Sequence, residues 1–273
     1  MPRPRVYKTE AIVLRHDPLG EADKILTLYT PYLGKLRIVA KGVRRPRSRL
    51  AGHVEPLTRS AMMIAQGRNL DILSQSHTID SFVPLKEDLA RTSQAIYAAE
   101  LLGLFTVEED ANSILYQGFL ATLEALCGTS EGALVLRRYE LQLLDILGYR
   151  PELDSCISCN DPIGVPRAYF SPSGGGVVCP GCRSGEASVR PISDEALKVL
   201  QHLREADLRS IDGIRASASL SREVEAIMRG YIRYLLEREV KSTAFLDTLR
   251  RQPLASTVGG AVAWETGGDL NET

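Results

Sequence analysis

The chain has 273 residues, 44% of them hydrophobic and 25% charged, with a formal net charge of −1. That is enough for two or three small domains with real cores, and it excludes a collagen-like, disulfide-dense or wholly disordered chain. No apolar run approaches the roughly 18 residues of a membrane span, and the N-terminus lacks the apolar stretch of a signal peptide, so a cytoplasmic protein without membrane contact is expected. The small net charge hides an asymmetry: residues 1–60 carry thirteen Lys/Arg against five Asp/Glu, a net +8, which leaves the rest at −9. A basic first domain on an acidic body suggests a polyanion-binding module joined to something else.

In chain order, alternation of apolar and polar residues predicts strands over 6–15, 24–30, 35–42, 57–65 and 70–77, separated by turn signals at Pro18, Gly20, Gly34 and Gly67. In the third run Lys35, Arg37 and Lys41 are expected outward, and Leu36, Ile38 and Ala40 inward. Five short strands in so few residues predict a small closed barrel of the OB-fold type. From Lys35 to Arg49 there are seven basic residues and no acidic one. Lys35, Arg37, Lys41, Arg44, Arg45, Arg47 and Arg49 are therefore candidate phosphate contacts, because a guanidinium fork matches phosphate oxygens and seven unopposed charges repel one another on a bare surface. Stacking aromatics are few here (Tyr7, Tyr29, Tyr32), so binding should follow the backbone and depend on salt rather than sequence.

After about residue 86 the period becomes helical, with helices expected over 93–105, 114–126, 133–148, 193–205 and 222–240. Gly148 and Pro151 stop the third of these, and Ser193 can cap the fourth. The helices are interrupted by Cys156-x-x-Cys159 and, after nineteen residues, Cys179-x-x-Cys182. Two such pairs at this spacing predict one structural Zn²⁺ held by Cys156, Cys159, Cys179 and Cys182, with a hairpin between them as in a zinc ribbon. Four thiolates leave no open position for water, and neither pair follows the proline of a zinc deaminase, although His53-Val54-Glu55 mimics the first half of that motif. Cys127 remains as a small hydrophobe. The expected architecture is α+β and multidomain: an OB-fold barrel at 1–80, an α-helical domain at 81–152 and 186–254, a four-cysteine zinc ribbon inserted at 153–185, and a Gly-rich disordered tail at 255–273.

Two further motifs carry a resemblance. Gly20-Glu21-Ala22-Asp23-Lys24-Ile25 runs on to Thr27 and Thr30 and is followed by Gly34-Lys35, Ala40-Lys41-Gly42 and a basic loop containing Ser48; later, Leu147-Gly148-Tyr149-Arg150-Pro151 leads to Cys156 and Cys159. This pattern resembles the RecO family of bacterial recombination mediators over about residues 6–250. The resemblance implies binding to single- and double-stranded DNA, annealing of complementary strands, and action with RecR to place RecA on strands coated by single-stranded DNA-binding protein. It also implies a nucleoid-associated location and no catalytic chemistry, and it assigns DNA contact to the seven basic residues above. The acidic tail of single-stranded DNA-binding protein would dock on the helical domain, with Arg137 and Arg138 as candidate contacts. Apart from the resemblance, a zinc-ribbon adaptor binding RNA or the ribosome without annealing stays open, and a metalloenzyme fits the closed metal shell poorly.

Overall fold

The computed structural model describes residues 5–163, 168–186 and 188–251; the expected tail at 255–273 lies outside them. Residues 6–80 form a closed five-stranded barrel, ordered β1 (Val6–Leu19), β2 (Asp23–Thr30), β3 (Gly34–Ala40), β5 (Asp71–Asp80), β4 (Arg59–Ala65) and back to β1. Four of its pairings are antiparallel. The fifth closes the ring through a short parallel contact, Ile38 with Asp71 and Val39 with Ile72. Strand β1 is long enough to pair with both β2 and β4, and a register shift between Val13 and Arg15 bends it from one to the other.

The barrel has two apolar faces. Ala11, Val13, Leu26, Leu28, Leu36 and Ile38 fill its interior. Ile12, Leu14 and Tyr29 point the other way, into the core of the helical body. Both faces of β1 and β2 are buried for that reason, and simple alternation of polar and apolar residues disappears there.

The helical body is α1 (Val83–Glu87), α2 (Leu89–Phe105), α3 (Ser113–Gly128), α4 (Gly132–Ile146), α5 (Asp194–Glu205), α6 (Ala218–Leu236) and α7 (Lys241–Arg251). Side-chain caps start four of them: Asp88, Asn112, Ser193 and Ser217 each accept from a backbone N–H of the first turn. The helix expected over 222–240 ends instead at Leu236, because Glu237 takes a left-handed conformation (φ 53°) and the chain turns into α7. The charged run Glu237-Arg238-Glu239 stays exposed while Val240 returns to the core, which a continuous helix would not permit. Helix α1, with Pro84 in its first turn, has only five residues, too few to show a period, and α7 is a separate amphipathic helix after the turn at Glu237.

Between α4 and α5 lie β6 (Ala168–Ser171), β7 (Gly176–Val178) and β8 (Arg190–Ile192), a sheet in the order β7-β6-β8. It is fused to the helical core: Phe170 meets Tyr231 edge to face at 5.5 Å between centroids, and the Tyr231 hydroxyl donates to the carbonyl of Tyr149 at 3.0 Å. Gly176 allows this fit, since a Cβ there would come within 2.7 Å of the Glu152 carbonyl oxygen.

Candidate nucleic-acid interface and metal centre

The segment between β3 and β4 is built of turns, as its polarity and prolines require. Val43 and Val54 anchor it by plugging the barrel interior, and both are buried. Three hydrogen bonds pin its start to the β1–β2 turn and the first residue of β2: Gly42 N–H donates to Asp23 Oδ1 at 2.7 Å, Arg44 N–H to the Ala22 carbonyl at 2.9 Å, and the Arg44 guanidinium to the Gly20 carbonyl at 2.7 Å. With Val43 facing in, Lys41, Arg44, Arg45, Arg47 and Arg49 all face solvent. Arg37 is exposed on the outer face of β3, across from Thr27 of β2, and its Nε lies 3.8 Å from Glu108 Oε1. These six cations thus run along one strand and the loop that follows it.

Lys35 is different. Outward from β3 at this position is the helical body, not solvent: Lys35 Nζ donates to the Gly103 carbonyl at 2.7 Å and to the Thr106 carbonyl. Burial pushes its ammonium pKa below the ordinary lysine value, against the attraction of Glu108. The side chain is half-buried and ties barrel to helices through these two carbonyls. Alternation along the strand places Lys35 on the outer face but cannot say what covers that face.

The four cysteines converge. Their sulfurs all lie within 4.8 Å of one another, and Cys159 Sγ is 3.9 Å from Cys179 Sγ. Bonds of about 2.3 Å to a tetrahedral Zn²⁺ require sulfur–sulfur edges of about 3.8 Å, so the donor set fits such an ion with little movement. Each pair sits in a tight turn: Asn160 N–H donates to the Cys156 carbonyl and Cys182 N–H to the Cys179 carbonyl, and Asn160 adopts φ 63° to complete the first. Cys156 is buried, yet its thiol is pulled down to about 6: burial opposes the thiolate, but N–H groups of Cys179, Cys159 and Ser158 outweigh it. Cys127 is on α3, outside this group, and burial pushes its thiol up.

The packing separates Arg137 and Arg138, both expected at the surface: the first is buried and the second is half-buried at a groove. Arg137 is buried, its Nη2 2.6 Å from Glu140 Oε1 and its guanidinium 6.0 Å from the ring centre of Tyr97. Arg138 donates from Nε to the Ala206 carbonyl at 2.7 Å and lines a groove of about 1010 Å³ whose other charged residues are Glu124, Glu205 and Asp207. Three carboxylates thus share that groove with the one guanidinium.

The comparisons agree with one another. The family model described as "Recombination protein O N terminal" matches residues 4–82, and "Recombination protein O C terminal" matches residues 86–244. The chain is 42% identical to "DNA repair protein RecO" of Roseiflexus sp. (strain RS-1) over 99% of this chain and 96% of the relative. It is 39% identical to the protein of that name from Dehalococcoides mccartyi (strain ATCC BAA-2266 / KCTC 15142 / 195), over 93% of this chain and 100% of the relative. A third, from Desulforamulus reducens, is 36% identical over 92% of this chain and 97% of the relative.

Proposed function

The chain belongs to the RecO family of DNA repair proteins, and from that premise we propose that it binds single- and double-stranded DNA, anneals complementary strands and, with RecR, helps RecA load onto strands coated by single-stranded DNA-binding protein. The observation that carries the DNA reading is the loop after β3. It sets Lys41, Arg44, Arg45, Arg47 and Arg49 in solvent beside Arg37, on a scaffold fixed by Val43 and the β1–β2 turn. These contacts neutralise phosphates and carry no base code, so binding is salt-dependent and sequence-tolerant. Lys35 is left out of this set. We also propose that the cysteine group holds one structural Zn²⁺, with no catalytic step routed through it. The protein works by holding strands, without bond-breaking chemistry.

The test measures annealing of two complementary oligonucleotides, each coated with single-stranded DNA-binding protein. The wild type is expected to accelerate annealing, and the Arg44→Glu/Arg45→Glu/Arg47→Glu variant to lose most of that acceleration. The variant should also lower the slope of log affinity against log salt by about 2 for single strands, at about 0.7 per lost phosphate contact. An unchanged salt slope removes the loop from the binding surface. Ordinary binding without annealing, and equal affinity for RNA, would instead support a passive nucleic-acid adaptor.

A further inference from the structure

Between the barrel and the helical body lies a cleft of about 810 Å³, walled by β1, β2 and β3 on one side and by α2 and the start of α7 on the other. Three separate stretches of chain supply its cations: Arg15 from β1, Lys35 and Arg37 from β3, and Arg238 and Lys241 from the turn into α7. Among the described residues Glu100 and Glu108 oppose them along the lining, and Asp17 Oδ2 lies 3.4 Å from Arg15 Nη2 beside it. Glu100 accepts the backbone N–H groups of Lys241 and Ser242 at 2.9 and 2.8 Å, and Glu108 lies beside Arg37. The crowding is felt at Lys35, where burial and the positive charges of Arg15 and Arg238 all disfavour the ammonium. Arg15, Arg37, Arg238 and Lys241 are exposed. Ile96, 41% exposed, gives the α2 wall an apolar spot.

The cleft is continuous with the loop surface, because Arg37 belongs to both. From Arg37 to Lys41 the chain advances four residues along β3, a distance of about 13 Å at strand rise. We propose that a single DNA strand held by the loop after β3 continues along β3 into this cleft, where Arg15, Arg37, Arg238 and Lys241 take its phosphates. This rests on the reading of the loop as a DNA contact and extends the binding path onto the helical body. A volume of this order encloses something the size of a large small-molecule ligand, which suits a few nucleotides of one strand and not a duplex.

The test uses the full-length Arg238→Glu/Lys241→Glu variant and its Ala counterpart. A negative charge at the start of α7 suits the helix dipole, and the cap from Glu100 uses backbone N–H groups, so neither change should unfold the helix. Affinity is measured for oligo-dT of about 4 nucleotides, the lower end of the ~4–16 that one OB fold covers and at ~3.4 Å per phosphate no longer than the step from Lys41 to Arg37, for oligo-dT of about 30, and for a duplex. The expected result is an affinity loss of about tenfold on the long strand, with a salt slope smaller by about 1.4, and less than about twofold on the short strand and the duplex. No loss on the long strand, or the same loss on all three, overturns the cleft path. The Arg44→Glu/Arg45→Glu/Arg47→Glu variant is measured alongside. If it binds all three normally, the loop reading itself fails, whatever the cleft variants do.

Discussion

Arg137 sits at the centre of the helical body with Glu140 and Glu225, which face it from α4 and α6, while the Tyr97 hydroxyl of α2 donates to Glu140. Glu140 is fully buried, and burial raises its carboxyl to about 7 despite the guanidinium beside it. Removing the cation leaves Glu140 buried with the Tyr97 hydroxyl but without the guanidinium that offsets its charge. Arg137→Met is therefore expected to destabilise the protein by about 3–5 kcal/mol in urea unfolding, and the double change with Glu140→Leu to recover much of it. A loss below about 1 kcal/mol would show that the group is not a structural ion pair. Lys35 makes the complementary case. Lys35→Met removes two donated hydrogen bonds at a partly exposed site and should cost about 1–2 kcal/mol. DNA affinity should stay within about twofold, unlike the loop arginines. A loss of affinity matching that of the Arg44 variants would return Lys35 to the contact surface.

Among the elements, the cysteine-bearing sheet has the least apolar material of its own. Its strands are three or four residues long, and Phe170 and Val177 belong to the helical core. Metal ligation couples such a segment to folding. The wild type is expected to carry one zinc per chain by elemental analysis, and Cys179→Ser to carry none. The substitution should also open 152–186 to limited proteolysis, while residues 6–80 stay resistant. A variant that loses its metal but keeps the wild-type cleavage pattern and thermal midpoint would separate the cysteines from the fold. Because the sheet packs on Tyr231 of α6, its loss should also loosen the turn at Glu237 that leads into α7.

For the molecule as a whole, the decisive region is the junction between barrel and helices. Glu10 of β1 receives the Arg59 guanidinium at 2.8 Å from β4 and the Tyr116 hydroxyl from α3. Gly34 brings the β2–β3 turn against the loop before α3, at φ 65° and with no room for a Cβ beside the Asp110 carbonyl. Burial alone would raise the Glu10 carboxyl, but the bonds from Arg59 and Tyr116 outweigh it and hold the pKa below the ordinary 4.5. A depressed carboxyl contributes stability above its unfolded pKa and loses it as pH falls through the folded one. Glu10→Gln should therefore be less stable than the wild type at pH 7, and the two thermal midpoints should converge below pH 4.5. A gap that stays constant with pH would show that the ionised carboxylate does not hold the junction.

The sequence by itself determined the barrel, the basic loop and the cysteine group. Each is set by local features: alternation along a strand, prolines among arginines, and two C-x-x-C pairs at a fixed spacing. It also carried the family motifs. The tertiary structure alone decided which face of each element is covered. Ile12 and Tyr29 serve the helical core, Lys35 bonds to helix-end carbonyls and Arg137 is buried, because periodicity defines a face without naming its neighbour. The cleft is the clearest instance: Arg15, Arg37, Arg238 and Lys241 are more than two hundred residues apart at the extremes and meet only when the barrel docks on α2 and α7.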